Sequence, residues 1–459
     1  MSRPEEVLGA DALLAPLRAA LATPEGEGAE LWVHRRRAAI TRYSHSGIHQ
    51  NALSDDLEIR ATVAVGERVG TASGNALTTD GLRALLRDAA ALARLGPPNA
   101  GWPGFAAPAA YAAPHAFDAA TAAAEAGAQA DAVRRICAAT EARGFWAAGT
   151  QAIDLTEDAV ANTNGVAAYA PATVAYLRAL VQGPHGGAGY ADDLGARLDD
   201  LDPDGVAARA TEKCALDRDR AQLPPGDYEA VFEEDAVAEI LRIMSITGCG
   251  AQAVAEGRSF MSGAIGERVT GPRFTLHDDA LDPRQLGMPF DPEGTPKRRV
   301  ALVEGGVVRG PVYDRWGAKA AGAESTGHAA DPERYGLVAH AGTLVMQGGT
   351  ATREQLIGAV GRGILITRFH YTNTPDPKRA TMTGTTRDGT FLIEDGQIVR
   401  ALANVRYTMS ALDLFAGIDL LGPQRLVRDW WSSNGMGAVV CLAPAMKVSR
   451  ATITGSSPS

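Results

Sequence analysis

The chain has 459 residues, 46% of them hydrophobic and 21% charged, and a formal net charge of −10 at pH 7. Its length exceeds what one hydrophobic core usually serves, so we expect a globular protein of two domains with no membrane span. The acidic balance argues against a nucleic-acid partner, because binding to phosphates needs a basic surface. Four scattered cysteines without a CxxC pair favour a reducing cytoplasm.

The first hundred residues alternate between helix-like and strand-like segments. Apolar residues at helical spacing predict a helix over 6–21, and strand-like runs follow at 30–44 and 57–73. An amphipathic helix is predicted next, with a Thr or Asp at 78–80 as its cap and Gly96 as its stop. Residues 96–117, rich in Pro, Gly and Ala, then predict a connector without regular structure.

The middle of the chain leads to a predicted domain boundary. An Ala-rich segment, 118–144, predicts one long helix that Asp118 can cap, and strand-like runs continue to about residue 198. A helix over 202–221 precedes Pro-Pro-Gly-Asp, and beyond it the chain consists mostly of short strands and Gly-marked turns. We therefore predict an α+β fold, with an N-terminal helix-and-strand domain over 1–221 and a strand-rich C-terminal domain over 222–459.

Residues 233–241, with the sequence EEDAVAEIL, form the first candidate site. Glu234, Asp235 and Glu239 stand where the zinc-peptidase pattern HExxxH has His, Glu and His. An apolar stripe predicts a helix, whose dipole favours acids in the first turn. The alternative is a metal site made of carboxylates, which suits Mg, Ca or Mn better than zinc. Positions 234 and 239 lie about 140° apart on a regular helix, so one ion would need a distorted turn.

Other candidate metal and nucleophile positions have less support. His45 and His49 have the spacing of a zinc helix, but Ser and Gly between them predict a polar turn. There is no G-x-S-x-G elbow. Cys441 lies in the apolar run GAVVCLAPAM and is expected to be a buried structural thiol. We therefore expect no metal ligand and no cofactor in this chain.

A polar segment in the C-terminal half is the candidate substrate-binding site. An apolar strand ends in Arg368, His370 and Tyr371, and Asn373 follows. Cations, an imidazole and a phenol in one loop could hold the carboxylates and backbone of a peptide. The alternative is a solvated hairpin whose edge is protected by charge. His328, in the small-residue segment AESTGHAAD, is a further candidate for a substrate or interface contact.

Taken in order, these segments resemble the TldD/PmbA family, and within it the TldE (PmbA) branch. The resemblance covers nearly the whole length. The stretches that carry it include VANTNGVAAY, PPGDYEAVFEEDAVAEIL, GRSFMSGAIGERV, PFDPEGTP, AESTGH and TRDGTFLIEDGQIV. PFDPEGTP and DGTFLIEDG, in this order and spacing, are more specific than any single short motif.

The resemblance implies a function shared between two chains. In this family the TldD-type subunit carries HExxxH and a distal cysteine and is the zinc peptidase, whereas the TldE-type partner lacks these ligands. Glu234, Asp235 and Glu239 would then be neither ligands nor bases, and Cys441, the nearest match to the distal cysteine, has different surroundings. A TldD-like partner would hold the Zn²⁺, and this chain would complete the substrate cavity. The implied substrates are small modified peptides, amino-acid conjugates and antibiotic-type biosynthetic intermediates.

Two other functions stay open at this point. The chain could be a stand-alone metal-dependent hydrolase that uses Glu234, Asp235 and Glu239 or an unrecognised His/Cys site. It could also be a peptide-binding or chaperone module that takes no part in hydrolysis. Metal content and activity of the isolated chain separate these alternatives from the two-chain peptidase.

Overall fold

A computed structural model gives the structure of residues 7–330, 338–428 and 439–456, which form an α+β fold and so confirm the predicted class. The helices are α1 (Ala10–Leu21), α2 (Thr79–Leu95), α3 (Ala119–Ala122), α4 (Ala126–Glu141), α5 (Pro203–Leu216), α6 (Glu234–Met244), α7 (Ala251–Ala255), α8 (Arg315–Ala321), α9 (Arg353–Gly358) and α10 (Ala411–Ala416). The strands are β1 (Gly28–Ser44), β2 (Gly47–Val65), β3 (Arg68–Gly74), β4 (Trp146–Asn162), β5 (Ala167–Gln182), β6 (Ala188–Gly195), β7 (Gly226–Phe232), β8 (Leu276–Asp278), β9 (Val300–Glu304), β10 (Val307–Val308), β11 (Thr343–Met346), β12 (Arg362–Asp376), β13 (Thr381–Glu394), β14 (Gln397–Ala401), β15 (Val405–Ser410), β16 (Ile418–Arg428) and β17 (Val440–Ser456).

The first sheet lies in the N-terminal half. Among the described residues its six strands run antiparallel to their neighbours, in the order β3-β2-β1-β4-β5-β6. Because side chains alternate between the two faces of a strand, the sheet has two distinct surfaces. Helices α1, α2, α4 and α5 cover one face, over apolar clusters that include Leu31 and Leu177. The other face carries Trp32 and Val160, which pack against Phe290 from the C-terminal half.

The second sheet has eleven strands within the described ranges. Its order is β10-β9-β8-β11-β17-β15-β13-β12-β7, with β14 beside β13 and β16 beside β17. Strand β7 pairs in parallel with β12 and antiparallel with β17, so β17, β15, β13, β12 and β7 close into a ring. A continuous apolar core that includes Phe232, Leu241, Tyr407 and Met446 is built on these strands.

Helix α6 is buried against this sheet. It packs on β12, β16 and β17, and every residue from Asp235 to Met244 is buried, which confirms the predicted helix. Glu233, which connects β7 to α6, is fixed in position because its backbone N–H donates to the Ile366 carbonyl oxygen at 3.0 Å. At its other end α6 runs into a π-helical turn, Ser245–Cys249. The start of α6 is therefore fixed to β12 by a backbone hydrogen bond.

The Ala-rich segment departs from its prediction. Instead of one helix over 118–144, the chain forms α3 and α4 with a break at 123–125. Asp118 caps only α3, accepting the Thr121 backbone N–H at 2.8 Å. Alanine favours a helix at every position but supplies little side chain to keep it straight against neighbours. Packing decides the outcome: α3 lies on β4 and β5, whereas α4 packs against α5.

The predicted connector and residues 222–225, at the predicted boundary, lie outside helices and strands. Residues 96–117 contain no helix or strand, and the two sheets lie before and after residue 222. The division into two domains at this position stays a prediction. No helix in the described ranges is long and apolar enough to cross a membrane. Each of the four cysteines is buried outside any disulfide, as expected for Cys441.

Candidate functional site

The first turn of α6 places three acids next to basic residues. Glu233 occupies the cap position and its side chain is 8% exposed. Its carboxylate contacts Lys213 Nζ at 2.5 Å and Arg353 Nε at 3.2 Å. Burial alone would raise the pKa of Glu233, but these two cations outweigh it and the pKa is lowered. Glu233 is therefore an ionised, paired anchor for the start of α6.

One guanidinium joins acids from both sheets. Arg425 of β16 contacts Asp235 Oδ2 through Nη2 at 2.7 Å and Asp192 Oδ1 through Nη1 at 2.9 Å. Its Nε lies 3.9 Å from Glu234 Oε2. Asp192 belongs to β6 of the first sheet and is 1% exposed. Two of the three motif-aligned positions, Glu234 and Asp235, thus face an arginine side chain.

Further polar side chains surround Asp192, the partner of Arg425. The Tyr190 hydroxyl donates to Asp192 Oδ2 at 3.0 Å, and the Arg368 guanidinium lies 4.8 Å from the centre of the Tyr190 ring. Arg368 in turn donates through Nε to Asp388 Oδ2 at 2.8 Å. Cation–π contacts of this kind strengthen when they are shielded from water. We call Asp192, Tyr190, Asp235, Arg368, Asp388 and Arg425 the arginine network.

Zinc does not fit this arrangement. The motif-aligned positions Glu234, Asp235 and Glu239 supply no imidazole, which zinc peptidase sites favour. Arg425 already contacts Asp235, and a regular helix directs positions 234 and 239 apart. In the part of the chain that the structure describes, no group of three or more His, Cys, Asp or Glu side chains is arranged to hold a metal ion.

The predicted substrate-binding residues fall into two environments. Arg368 is 6% exposed and belongs to the arginine network, whereas Tyr371 is 64% exposed, with a left-handed backbone (φ 53°) that is uncommon for a non-glycine residue. Asn373 is also exposed and donates its side-chain amide to the Tyr371 carbonyl oxygen at 3.0 Å. His370 lies between them, and burial together with Arg387 and Arg368 lowers its pKa to about 4. A substrate role for these residues stays a prediction, and Tyr371 and Asn373 are the ones that a peptide can reach at the surface.

His328 is placed apart from this group. Its ring is fully buried, and Nε2 lies 2.7 Å from Asp278 Oδ1. Nδ1 lies 2.8 Å from the Thr326 carbonyl oxygen. Burial acts to raise the pKa of Asp278, but the neighbouring His328 ring outweighs it and the pKa is lowered. A substrate would have to displace these partners to reach the ring, and the substrate or interface contact at His328 stays a prediction.

Sequence reasoning missed the basic residues that hold the acids of α6. Arg425, Lys213 and Arg353 lie far from residues 233–235 in sequence, so no local pattern connects them. Asp192 gave one usable signal, because it lies in the strand-like run YADDLG and acids are depleted in strands. Such an acid, in a segment otherwise suited to burial, indicates a buried partner.

The arginine network predicts a pH dependence of stability. Burial, and then the charge of Asp192, raises the pKa of Asp235 to about 7. The folded state therefore holds a proton that the unfolded chain releases near pH 4, so the free energy of unfolding falls as pH rises from about 4 to 7. The Asp235→Asn variant lacks this carboxyl group, so its free energy of unfolding should not show this fall between pH 4 and 7. Urea unfolding between pH 4 and 7 should show the free energies of unfolding of the parent and the variant diverging by an amount on the order of 2–4 kcal/mol. Parallel pH profiles would contradict the raised pKa of Asp235.

Comparisons with known proteins agree with this fold. TldE from Thermococcus kodakarensis superposes with a TM-score of 0.85 over 97% of this chain and 99% of that chain, at 20% identity. A Thermotoga maritima protein described as a proposed modulator of a DNA gyrase superposes with a TM-score of 0.80 over 93% of this chain and 96% of its own, at 17% identity. At these identities the likeness establishes the fold.

Sequence comparison identifies the family. The description "PmbA/TldA metallopeptidase C-terminal domain" matches residues 225–455, half of the chain. The metalloprotease TldD homologue of Buchnera aphidicola is 25% identical over 207 residues, which are 44% of this chain and 42% of the relative. The Haemophilus influenzae homologue is 24% identical over 210 residues, 43% of this chain and 42% of the relative. The chain thus spans less than half the length of these curated relatives. It belongs to the PmbA/TldD family of metallopeptidase homologues.

Proposed function

We propose that this chain is the non-catalytic, TldE-like subunit of a heteromeric TldD/TldE-type zinc metallopeptidase. The observation that carries the proposal is Arg425, whose guanidinium contacts Asp235 at the position aligned with the zinc motif. Because the Arg425 side chain balances the negative charge of these acids, no bound metal ion is needed to do so. The likeness to TldE from Thermococcus kodakarensis over nearly the whole chain supports the same proposal.

In this proposal the work is divided between two chains. The TldD-like partner, with an intact HExxxH motif, holds a Zn²⁺ that polarises the scissile carbonyl and activates water. The present chain walls the substrate cavity, where Tyr371 and Asn373 can contact an extended peptide from the exposed end of β12. The substrates are peptide or amide bonds in small modified peptides or antibiotic-type biosynthetic intermediates. A cytoplasmic location and participation in peptide maturation belong to the same proposal.

Zinc content and peptidase activity of the separated and mixed chains test the proposal. We expect the chain purified alone to hold less than about 0.1 zinc per molecule, and the mixture with an HExxxH-bearing relative to hold about one zinc per heterodimer. Hydrolysis of a peptide library should require both chains. Changing the Glu of the partner's HExxxH motif to Gln should abolish turnover while the two chains still co-elute, because the motif Glu moves the proton.

The alternatives give different results in the same experiment. Near-stoichiometric metal in the isolated chain, with hydrolysis that Glu234→Gln removes, would identify a stand-alone hydrolase and refute the proposal. A complex that binds peptides but hydrolyses none of them, with its zinc present, would favour a peptide-binding module. Asp80→Asn, at an exposed position in the first turn of α2, serves as a matched control for loss of one surface carboxylate.

A further inference from the structure

A polar cleft lies away from the arginine network, where β13, β15 and β17 meet. Its cavity volume is about 300 Å³, and we call it the β15 cleft. The short 3-10 turn Pro377–Arg379, between β12 and β13, forms part of its wall and packs against the π-helical turn that follows α6. The residues that line it are Arg379, Thr381, Thr408, Met409, Ser410, Asp413, Leu414, Arg450 and Thr452.

Two arginines, Arg379 and Arg450, line this cleft. Among the residues that the structure describes, neither Arg379 nor Arg450 has an acid oxygen within 4.0 Å of its guanidinium. The backbone of Arg379 is nevertheless fixed, since Asp376 Oδ1 accepts its N–H at 3.3 Å and Ser410 donates to its carbonyl oxygen at 3.0 Å. The backbone of Arg379 is thus fixed, and the Arg379 and Arg450 side chains are both exposed.

The other polar groups of the cleft suit a ligand that accepts hydrogen bonds. Thr381, Thr408 and Ser410 bring hydroxyl groups to the same wall, and register places Thr381 opposite Ser410 across β13 and β15. Thr452 already donates to Asp227 at 2.6 Å and Ser410 to the Arg379 carbonyl oxygen at 3.0 Å, so these two protons are committed. The Thr408 hydroxyl is 3.0 Å from that of Thr383, which leaves Thr381 to donate to a ligand. Asp413 is the one acid among the lining residues. Two guanidiniums against one carboxylate leave a net positive charge.

We infer that the β15 cleft binds an oxyanion, either a carboxylate or a phosphate group, between Arg379 and Arg450. Guanidinium matches both groups because its planar N–H donors pair with two oxygens at once. The Thr381 hydroxyl can supply a further donor, and the buried Met409 and Leu414 give the cleft an apolar floor. The volume admits a peptide terminus or a phosphorylated small molecule. This site belongs to the chain alone and does not depend on a metallopeptidase partner.

Calorimetric titration of the isolated chain tests the inference and separates the two ligand sources. The probes are inorganic phosphate, the blocked dipeptide N-acetyl-Ala-Ala, and the C-terminal amide of that dipeptide, all in low-salt buffer. We expect phosphate, or the free-carboxylate dipeptide, or both, to bind, and the amide not to bind. Arg379→Gln and Arg450→Gln should each weaken binding at least tenfold, because each removes one charged partner.

Matched controls distinguish a built cleft from general surface charge. Arg400→Gln removes an exposed arginine from β14, outside the cleft, and should leave the affinity unchanged. Phosphate binding alone would identify a phosphate site, and dipeptide binding alone would identify a site for peptide carboxyl termini. Absence of binding by every probe, or equal weakening by Arg400→Gln, would overturn the inference. Unfolding midpoints of the variants should match the parent, since neither cleft guanidinium makes an ion pair within the described residues.

Discussion

Arg425→Met is expected to lower the free energy of unfolding by about 3 kcal/mol, measured by urea denaturation at pH 8. The substitution leaves Asp192 and Asp235 close together without the guanidinium that contacts both. Removing one partner of a buried ion pair costs more than the pair contributes, because the remaining charge stays desolvated. Breaking a buried ion pair in this way usually costs about 3–5 kcal/mol, and we expect the lower end because the Arg425 side chain is 25% exposed.

A matched set of variants isolates the charge effect. Arg425→Met combined with Asp192→Asn and Asp235→Asn removes the unpaired charges and should recover at least half of the lost stability. Arg362→Met, which removes an exposed arginine 3.5 Å from Glu394, should change stability by less than about 0.5 kcal/mol. A loss at Arg425 no larger than the loss at Arg362 would show that the network contributes little.

Gly189→Ala should destabilise the protein by about 3 kcal/mol and disturb the same network from the first sheet. A Cβ atom at Gly189 would lie 2.0 Å from the Ala210 carbonyl oxygen and 2.6 Å from the Cys214 backbone nitrogen. Those are backbone atoms of α5, which cannot rotate away, so the helix must move off β6. The same movement displaces Lys213, which pairs with Glu233, and the neighbouring Tyr190. Thermal unfolding and near-ultraviolet circular dichroism report both effects.

Gly127→Ala is the control for this steric argument. Position 127 lies in α4, and a Cβ there would meet nothing within 4 Å. Alanine in a helix restricts the unfolded chain more than glycine does, so this variant should gain up to about 1 kcal/mol. If both glycine substitutions behaved alike, close packing of α5 on β6 would not be the cause.

Local sequence patterns predicted the helices and turns whose ends are set by hydrogen bonds between residues close in sequence. Helix α2 begins at the predicted cap, where the Thr78 side chain accepts the Gly81 N–H at 3.1 Å, and it ends before Gly96. The hairpin of β13 and β14 turns at Asp395-Gly396, one of the Gly-marked turns predicted in the C-terminal half. In the Ala-rich segment, by contrast, the helix propensity is uniform, and no residue type at 123–125 indicates a break. Packing of α3 on β4 and β5 determines where the helix is interrupted.

The candidate site was predicted only in part because its pairing is nonlocal. The acids at 233–235 and the helix that follows them are visible in sequence. Their partners are not: Arg425 lies 190 positions from Asp235 and 233 from Asp192. Arg368 was predicted to bind a substrate because of its polar neighbours, yet its strand turns it toward Asp388 and the Tyr190 ring. Strand alternation and distant pairing decide such placements.

The separation between Asp192 and Arg425 has a consequence during synthesis of the chain. A ribosome adds about 5–20 residues each second, so the arginine follows the aspartate by roughly 10 to 50 seconds. Until Arg425 is synthesised, the Asp192 carboxylate has a hydroxyl donor, Tyr190, in its own sheet but no guanidinium partner. The ion pair that joins the two sheets at Asp192 can therefore form only after β16 has been translated.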